Sequence, residues 1–182
     1  MFRFKLFALV LATLAFASFA ADEENPYKSA KIGDWVEYKS NTEAQGFKME
    51  SKMKHSVTAK TDKEVTVAIE MDMNGQKHTQ EMKIDLTQKY DPTTAGAPPG
   101  QKAPKVEKVK EGDETLTIGG KAYKSHWTES KMTMDAGGQP METESKTWIS
   151  KDAPLGGLVK MEMKMGAGMK TTMELTGSGT GK

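Results

Sequence analysis

The residues with the most distinctive chemistry in this chain are thioethers and imidazoles. There are 14 methionines and three histidines but no cysteine, and only Met1 among the methionines precedes residue 20. They recur as Met-x-Met: Met71 with Met73, Met132 with Met134, and Met161, Met163 and Met165 in series, with Met141 apart. Thioethers are soft ligands suited to Cu(I). Side chains two apart on a strand share a face, so such pairs are able to share an ion, and His55 could join them. The same residues also stand where Val and Leu stand in neighbouring strands, and methionine fills irregular cores well. A third role lies between these two. A flexible thioether surface adapts to acyl chains or other apolar ligands of varied shape.

Of the histidines, His55 and His78 share parity with inward residues of their strands, whereas His126 lies opposite Trp127. None has the close His/Cys/Asp spacing of a zinc site. A structural or surface role is therefore expected for each, with no metal set and no cofactor assigned. The chain has no nucleophile elbow, no His-Glu-x-x-His and no phosphate-cradling glycine loop. Gly-x-Gly occurs as Gly166-Ala167-Gly168 and in the terminal tail, where it reads as a turn. Acidic residues mostly alternate with lysines on outward parity, which suggests cross-strand ion pairs in water, each worth little. A non-enzymatic role is the expectation.

The elements that would position these residues are strands. The clearest is the hairpin from Lys146 to Met165, with Trp148 on its first arm and an Asp-Ala-Pro-Leu-Gly-Gly reversal. From Leu158, residues Val159, Met161, Met163 and Met165 take one parity, and Lys160, Glu162 and Lys164 the other. A strand places those sets on opposite faces. Pro154 lacks an N–H for a ladder, and Gly156 and Gly157 accept positive φ, so the chain reverses there.

The same period of two runs through the chain. Gly33-Asp34 opens a strand over Trp35 to Ser40. Next, Met49, Ser51, Met53, His55, Val57 and Ala59 alternate with Glu50, Lys52, Lys54, Ser56, Thr58 and Lys60. Val65, Val67, Ile69, Met71 and Met73 follow, then Asn74-Gly75, the pair a type I′ turn favours. The return strand carries Gln80, Met82, Ile84 and Leu86 inward. Later strands span Lys105 to Ile118 and Lys121 to Asp135. In the second of these, Tyr123 and Trp127 oppose Met132 and Met134 in parity, which predicts a bulge near Glu129 to Lys131. Met141 to Ser150, Leu158 to Met165 and Met169 to Leu175 complete about nine antiparallel strands with no helix. A meander of this length must curl or close to hide its apolar face. The expected fold is all-β, a single domain forming a strongly curved half-barrel or barrel.

Organisation follows from composition. Arg3 and Lys5 precede an apolar run from Leu6 to Phe16, and Ser18-Phe19-Ala20 supplies small residues for cleavage, the pattern of a secretory signal peptide over residues 1–20. Residues 21–32 read as a flexible polar lead-in with a turn at Asn25-Pro26-Tyr27. Residues 33–176 form the β-domain, with an exposed Pro/Gly loop at 91–105, and 177–182 are a polar tail. No transmembrane anchor is expected after cleavage, and the exported product is periplasmic or secreted. Setting aside Arg3 and Lys5 leaves 24 basic residues against 25 acidic ones, and Arg3 is the only arginine. A nucleic-acid binder presents a basic face and uses the arginine fork, so no nucleic-acid partner is expected. Mean hydropathy is −0.62. Alternation lets so polar a chain build a core.

The stretch from Gly119 to Trp127, with Lys146-Thr-Trp-Ile-Ser-Lys-Asp-Ala-Pro-Leu-Gly-Gly-Leu-Val-Lys160, resembles a family of uncharacterised exported bacterial β-proteins. Their meander is similar in architecture to the half-barrel of periplasmic lipoprotein carriers of the LolA and LppX type. That resemblance implies a concave lipid-binding face, which in those carriers is plugged by helices that this chain does not show. The leading expectation is an exported envelope protein that binds a lipid, another apolar ligand or an envelope protein partner on a concave, Met-rich face. Its candidate residues are Met53, His55, Met71, Met82, Trp127, Trp148, Met161 and Met163. The alternatives are a structural or interaction protein with a filled core, and a copper-binding protein using His55 and the Met-x-Met strands. Trp35, Trp127 and Trp148, on three strands, are expected to meet as a core cluster.

Overall fold

The computed structural model describes residues 25–73, 75–90, 105–135, 140–166 and 168–181. The leader, Asn74 of the expected type I′ turn, residues 91–104 of the Pro/Gly loop and most of the turn after Asp135 lie outside the described residues. The strands are β1 (Trp35–Ala44), β2 (Phe47–Lys60), β3 (Glu64–Met73), β4 (Gln76–Asp85), β5 (Lys105–Ile118), β6 (Lys121–Asp135), β7 (Pro140–Ile149), β8 (Leu158–Met165) and β9 (Met169–Gly179). They form one antiparallel sheet in the order β4-β3-β2-β1-β9-β8-β7-β6-β5. Every neighbour but one is consecutive in sequence. The exception is β1 with β9, so the arrangement is a meander whose ends join, opened between β4 and β5. The sheet curls without closing into a barrel.

Alternation is what builds it. Val36 and Tyr38 of β1, Met53, His55 and Val57 of β2, Val65, Val67 and Ile69 of β3, Val159 and Met161 of β8, and Met173 and Leu175 of β9 are buried. On the opposite parity, Lys39 pairs with Glu50 at 2.8 Å, Lys83 with Glu64 at 3.1 Å, and Lys160 with Glu162 at 2.9 Å and Glu174 at 3.4 Å. All but Lys160–Glu162, which lies within β8, are the expected cross-strand pairs in water, and each contributes under ~1 kcal/mol. Burial of the other face carries the stability.

The Asp-Ala-Pro-Leu-Gly-Gly reversal belongs to the core as much as to the turn. Ser150 N–H donates to Gly157 O at 2.8 Å, and Leu155, Gly156 and Gly157 all take positive φ. Leu155 adopts φ 47° because its side chain is buried beside Ala153 in the main cluster. A Cβ at Gly157 would stand 2.8 Å from Ser150 O, so only glycine fits.

Four local expectations are corrected. Residues 25–30 are docked and not a flexible lead-in. Pro26–Ser29 form a 3₁₀ turn, Asn25 Nδ2 donates to Asp85 O at 3.0 Å and Gln88 O at 3.2 Å, and Tyr27 is buried, which pushes its phenol up to about 12. Ala59 is exposed because an extra residue, Thr58, interrupts the β2–β3 register between Val57 and Ala59. The irregularity expected near Glu129 to Lys131 is present in the β5–β6 pairing, but its extra residue is Val109 of β5, and β6 stays regular against β7. Tyr123 and Ser125 are buried, and so are Thr128, Ser130 and Met132, so burial along β6 changes parity between Ser125 and Thr128. Lastly, the tail reading of 177–182 is too early, because β9 continues to Gly179. Gly177 and Gly179 pair with Glu37 and Trp35, and a Cβ at either would stand 3.3 or 2.5 Å from the Trp35 indole. Gly-x-Gly is here a strand that makes room for a tryptophan, not a turn.

Candidate functional site

Register across the sheet decides which side chains share the interior face. Tyr38 pairs with Met53, Met53 with Met71, and Met71 with His78. Val36 pairs with His55, His55 with Ile69, and Val67 with Met82. Met53, His55, Met71 and Met82 are thus one neighbourhood on β2–β4. Met53 and His55 are buried, Met71 and Met82 half-buried and packed against the core cluster. Met161 pairs with Thr147 and Met173, and Met163 with Ser145 and Thr171. These two belong to the same face at its other end, where Met161 is fully buried and Met163 half-buried.

Trp127 and Trp148 do not share that face. Trp148 pairs with Lys160 and Trp127 with Trp148, on the parity of the outward charges. The Lys146 ammonium lies 3.9 Å from the Trp127 ring centroid and 5.0 Å from that of Trp148, and Lys160 lies 5.4 Å from the latter. The Trp148 indole N–H donates to Glu114. Trp148 is covered by these stems and is only 5% exposed. Trp35 sits elsewhere on the outer side, with Lys54 at 5.1 Å. The three tryptophans therefore form no single core cluster. The physical cause is that each is next in sequence to a residue of interior parity: Trp35 precedes Val36, Trp127 precedes Thr128, and Trp148 follows Thr147. A groove of about 280 Å³ on this charged side is lined by Val109, Glu129, Lys131, Lys146, Glu162 and Lys164, among others, and several of its charges pair with one another.

The histidines separate by face as well. His55 is buried with its Nε2 3.1 Å from Met53 Sδ, and burial pushes its pKa down to about 4. The Tyr38 ring meets its imidazole edge-on at 5.5 Å. His126 is half-buried, with Nδ1 2.9 Å from Asp113 and Nε2 3.2 Å from Glu111. The Asp113 contact, helped by Glu111 against some desolvation, raises its pKa. Among the described residues no three His, Asp or Glu side chains gather as a metal set.

One feature of the interior face escaped the residue-by-residue reading. On β6 and β7 its inward positions are hydroxyls: Thr128 and Ser130 face Thr147 and Ser145 across the ladder, and Thr143 faces Met132. All six of these residues are buried. The hydroxyls of Ser130, Thr143 and Thr147 have no hydrogen-bond partner among the described residues. An unpaired buried hydroxyl costs about 1–3 kcal/mol, and three in one patch form a row of donors and acceptors directed at the interior beside Met161 and Met163. The signal was present in the sequence as Thr143-x-Ser145-x-Thr147 opposite Thr128-x-Ser130. It was missed because Ser and Thr are ordinary on strand faces, and only register reveals which face they take.

No family model matches the chain, and no curated protein matches it. Two solved structures share its fold. A candidate exported protein with a YmcC-like fold from Bacteroides fragilis aligns with a TM-score of 0.52 at 12% identity, over 83% of this chain and 97% of that one. A candidate lipoprotein from Parabacteroides distasonis aligns with a TM-score of 0.56, also at 12% identity, over 86% of this chain and 100% of that one. Neither is described as a lipoprotein carrier. At this identity the likeness establishes architecture, and the chain is similar to these two in fold.

Proposed function

We propose that this chain is a non-enzymatic exported protein that binds an apolar ligand on the interior face of its curled sheet, at β6–β8. The observation that carries the reading is the patch of three buried hydroxyls without partners among the described residues, Ser130, Thr143 and Thr147, set beside Met132, Met161 and Met163. Natural cores pair such groups. A ligand with an apolar body and a few hydrogen-bonding atoms satisfies them while lying along the thioethers, as in ordinary small-molecule sites. No lysine or carboxylate shares that parity in this patch, because Lys131, Glu144, Lys146 and Glu162 all face the other way. The ligand's polar atoms are therefore uncharged ones. Export is supported by the Arg3/Lys5 leader pattern and by the descriptions of the two structures that share the fold.

Titration with the apolar fluorophore N-phenyl-1-naphthylamine tests this. A saturable, one-to-one enhancement that a lipid extract of the host envelope displaces is the expected result. A weak, linear signal from folded protein overturns the reading and leaves the alternative of a filled interior.

A further inference from the structure

The ligand patch at β6–β8 leaves unused the soft side chains at the other end of the interior face. On β2, Met53 and His55 are two residues apart and both buried, and their donor atoms, Sδ and Nε2, lie 3.1 Å from each other. Metal–nitrogen and metal–sulfur bonds of about 2.0 and 2.3 Å span that separation at an angle near a right angle. One ion can therefore take both atoms without a shift of the backbone. Met71 stands opposite Met53 on β3, and His78 opposite Met71 on β4. The donors form a row graded in exposure: His78 exposed on the edge strand, Met71 half-buried, Met53 and His55 buried. A row from a free sheet edge into the core is a path as well as a site.

The chemistry of the row selects the ion. Neighbouring interior positions are Ser51, Ile69, Met73, Gln80 and Met82, with no carboxylate and no ammonium. Zn²⁺ sites draw on thiolates, carboxylates or sets of three imidazoles, and Ca²⁺ and Mg²⁺ on shells of oxygen ligands, none of which this row supplies. Neutral thioether and imidazole donors suit a soft monovalent cation instead, and thioethers in particular favour Cu(I). The His55 Nε2 offers a lone pair once the ring proton sits on Nδ1. We propose that Met53, His55 and Met71 form a Cu(I) site, with His78 receiving the ion at the sheet edge. This site is separate from the hydroxyl patch, so either can stand without the other.

The test is an anaerobic titration of the full chain with Cu(I) under ascorbate, competed against bicinchoninate and followed by methionine-methyl NMR. One equivalent is expected to bind. The Met53 and Met71 methyls shift and Met161 stays in place. Loss of a direct ligand should weaken binding at least as much as loss of an outer-shell partner, roughly 10–100-fold. Met53→Leu is the decisive variant, since it keeps the volume and packs with little cost, and His55→Phe gives the second arm where it folds. His78→Ala should slow loading. Absence of bound Cu(I), equal affinity in Met53→Leu, or shifts confined to other methionines would overturn the proposal.

Discussion

Two halves of one interior face bury themselves differently. Across β1–β3 most inward positions are apolar, among them Val36, Tyr38, Met53, Val57, Val65, Val67 and Ile69, with Ser40 and His55 buried beside them. Across β6 and β7 the same face carries Thr128, Ser130, Thr143, Ser145 and Thr147. Threonine forms strands as readily as valine, so local propensity does not separate the halves. The hydroxyl does. In the first half the buried Tyr38 hydroxyl donates to Leu158 O at 3.5 Å, whereas in the second the hydroxyls of Ser130, Thr143 and Thr147 are buried with no partner among the described residues. The first half is built for stability. The second lacks the stability that a valine in each place would supply, the cost that the proposed ligand would offset.

That contrast can be broken by substitution, beginning where the effect is greatest. Met161 is fully buried and Lys160 outward. Met161→Lys should unfold the domain by burying an unpaired charge, whereas Lys160→Met should be tolerated, and melts showing the two equally stable would sink the face assignment. Acid comes next. The pKa of His55 falls from about 6.5 unfolded to about 4 folded, so its neutral burial stabilises above pH 6.5 and that stability is lost as pH falls from 6.5 towards 4. At about 1.4 kcal/mol per unit, the loss is roughly 3 kcal/mol, and urea titrations at stepped pH should lose this slope in His55→Phe.

Val67→Ala, in the close-packed half, should cost roughly 2 kcal/mol from lost methyls and the residual cavity. Thr147→Val, in the hydroxyl half, should instead be neutral or stabilise the free protein by up to about 1 kcal/mol, because it removes a hydroxyl without a partner. Denaturant melts of the two variants side by side test the comparison, and equal destabilisation would remove it. His126, on the outer face, should show the smallest effect and the opposite sign to His55. Its raised pKa gives a contribution fully present below pH ~6.5 and lost as pH rises through the folded value. Its partial exposure and salt screening keep that contribution small, and His126→Gln should flatten it.

Most of the strand architecture was legible because alternation is strict. Val65, Val67 and Ile69, or Val159 and Met161, can face inward in only one way, and register then follows from the turns. Three things were not legible, each for a physical reason. Single-residue irregularities at Thr58, Val109 and Thr176 depend on the partner strand, so parity runs past them in sequence. The outward placement of Trp127 and Trp148 runs against their hydrophobicity, and it is stabilised by Lys146 and Lys160 stems that only cross-strand pairing brings near. Gly112 gives another instance. It looks like an ordinary strand glycine, yet a Cβ there would stand 2.8 Å from the Trp127 indole across the ladder. As for the site, Met53, His55, Met71, Met82, Met161 and Met163 were legible as inward residues. The hydroxyls between them were not, because a Thr on a strand has no parity of its own until its neighbours are known.

Native mass spectrometry of protein purified mildly from its own host is the sharpest test of the proposed ligand site in the hydroxyl half of the interior. A co-purifying mass that disappears on denaturation is expected, and it should be lost from the Thr143→Val/Thr147→Val variant while that variant stays folded. A clean mass of the protein alone, in both, would contradict it.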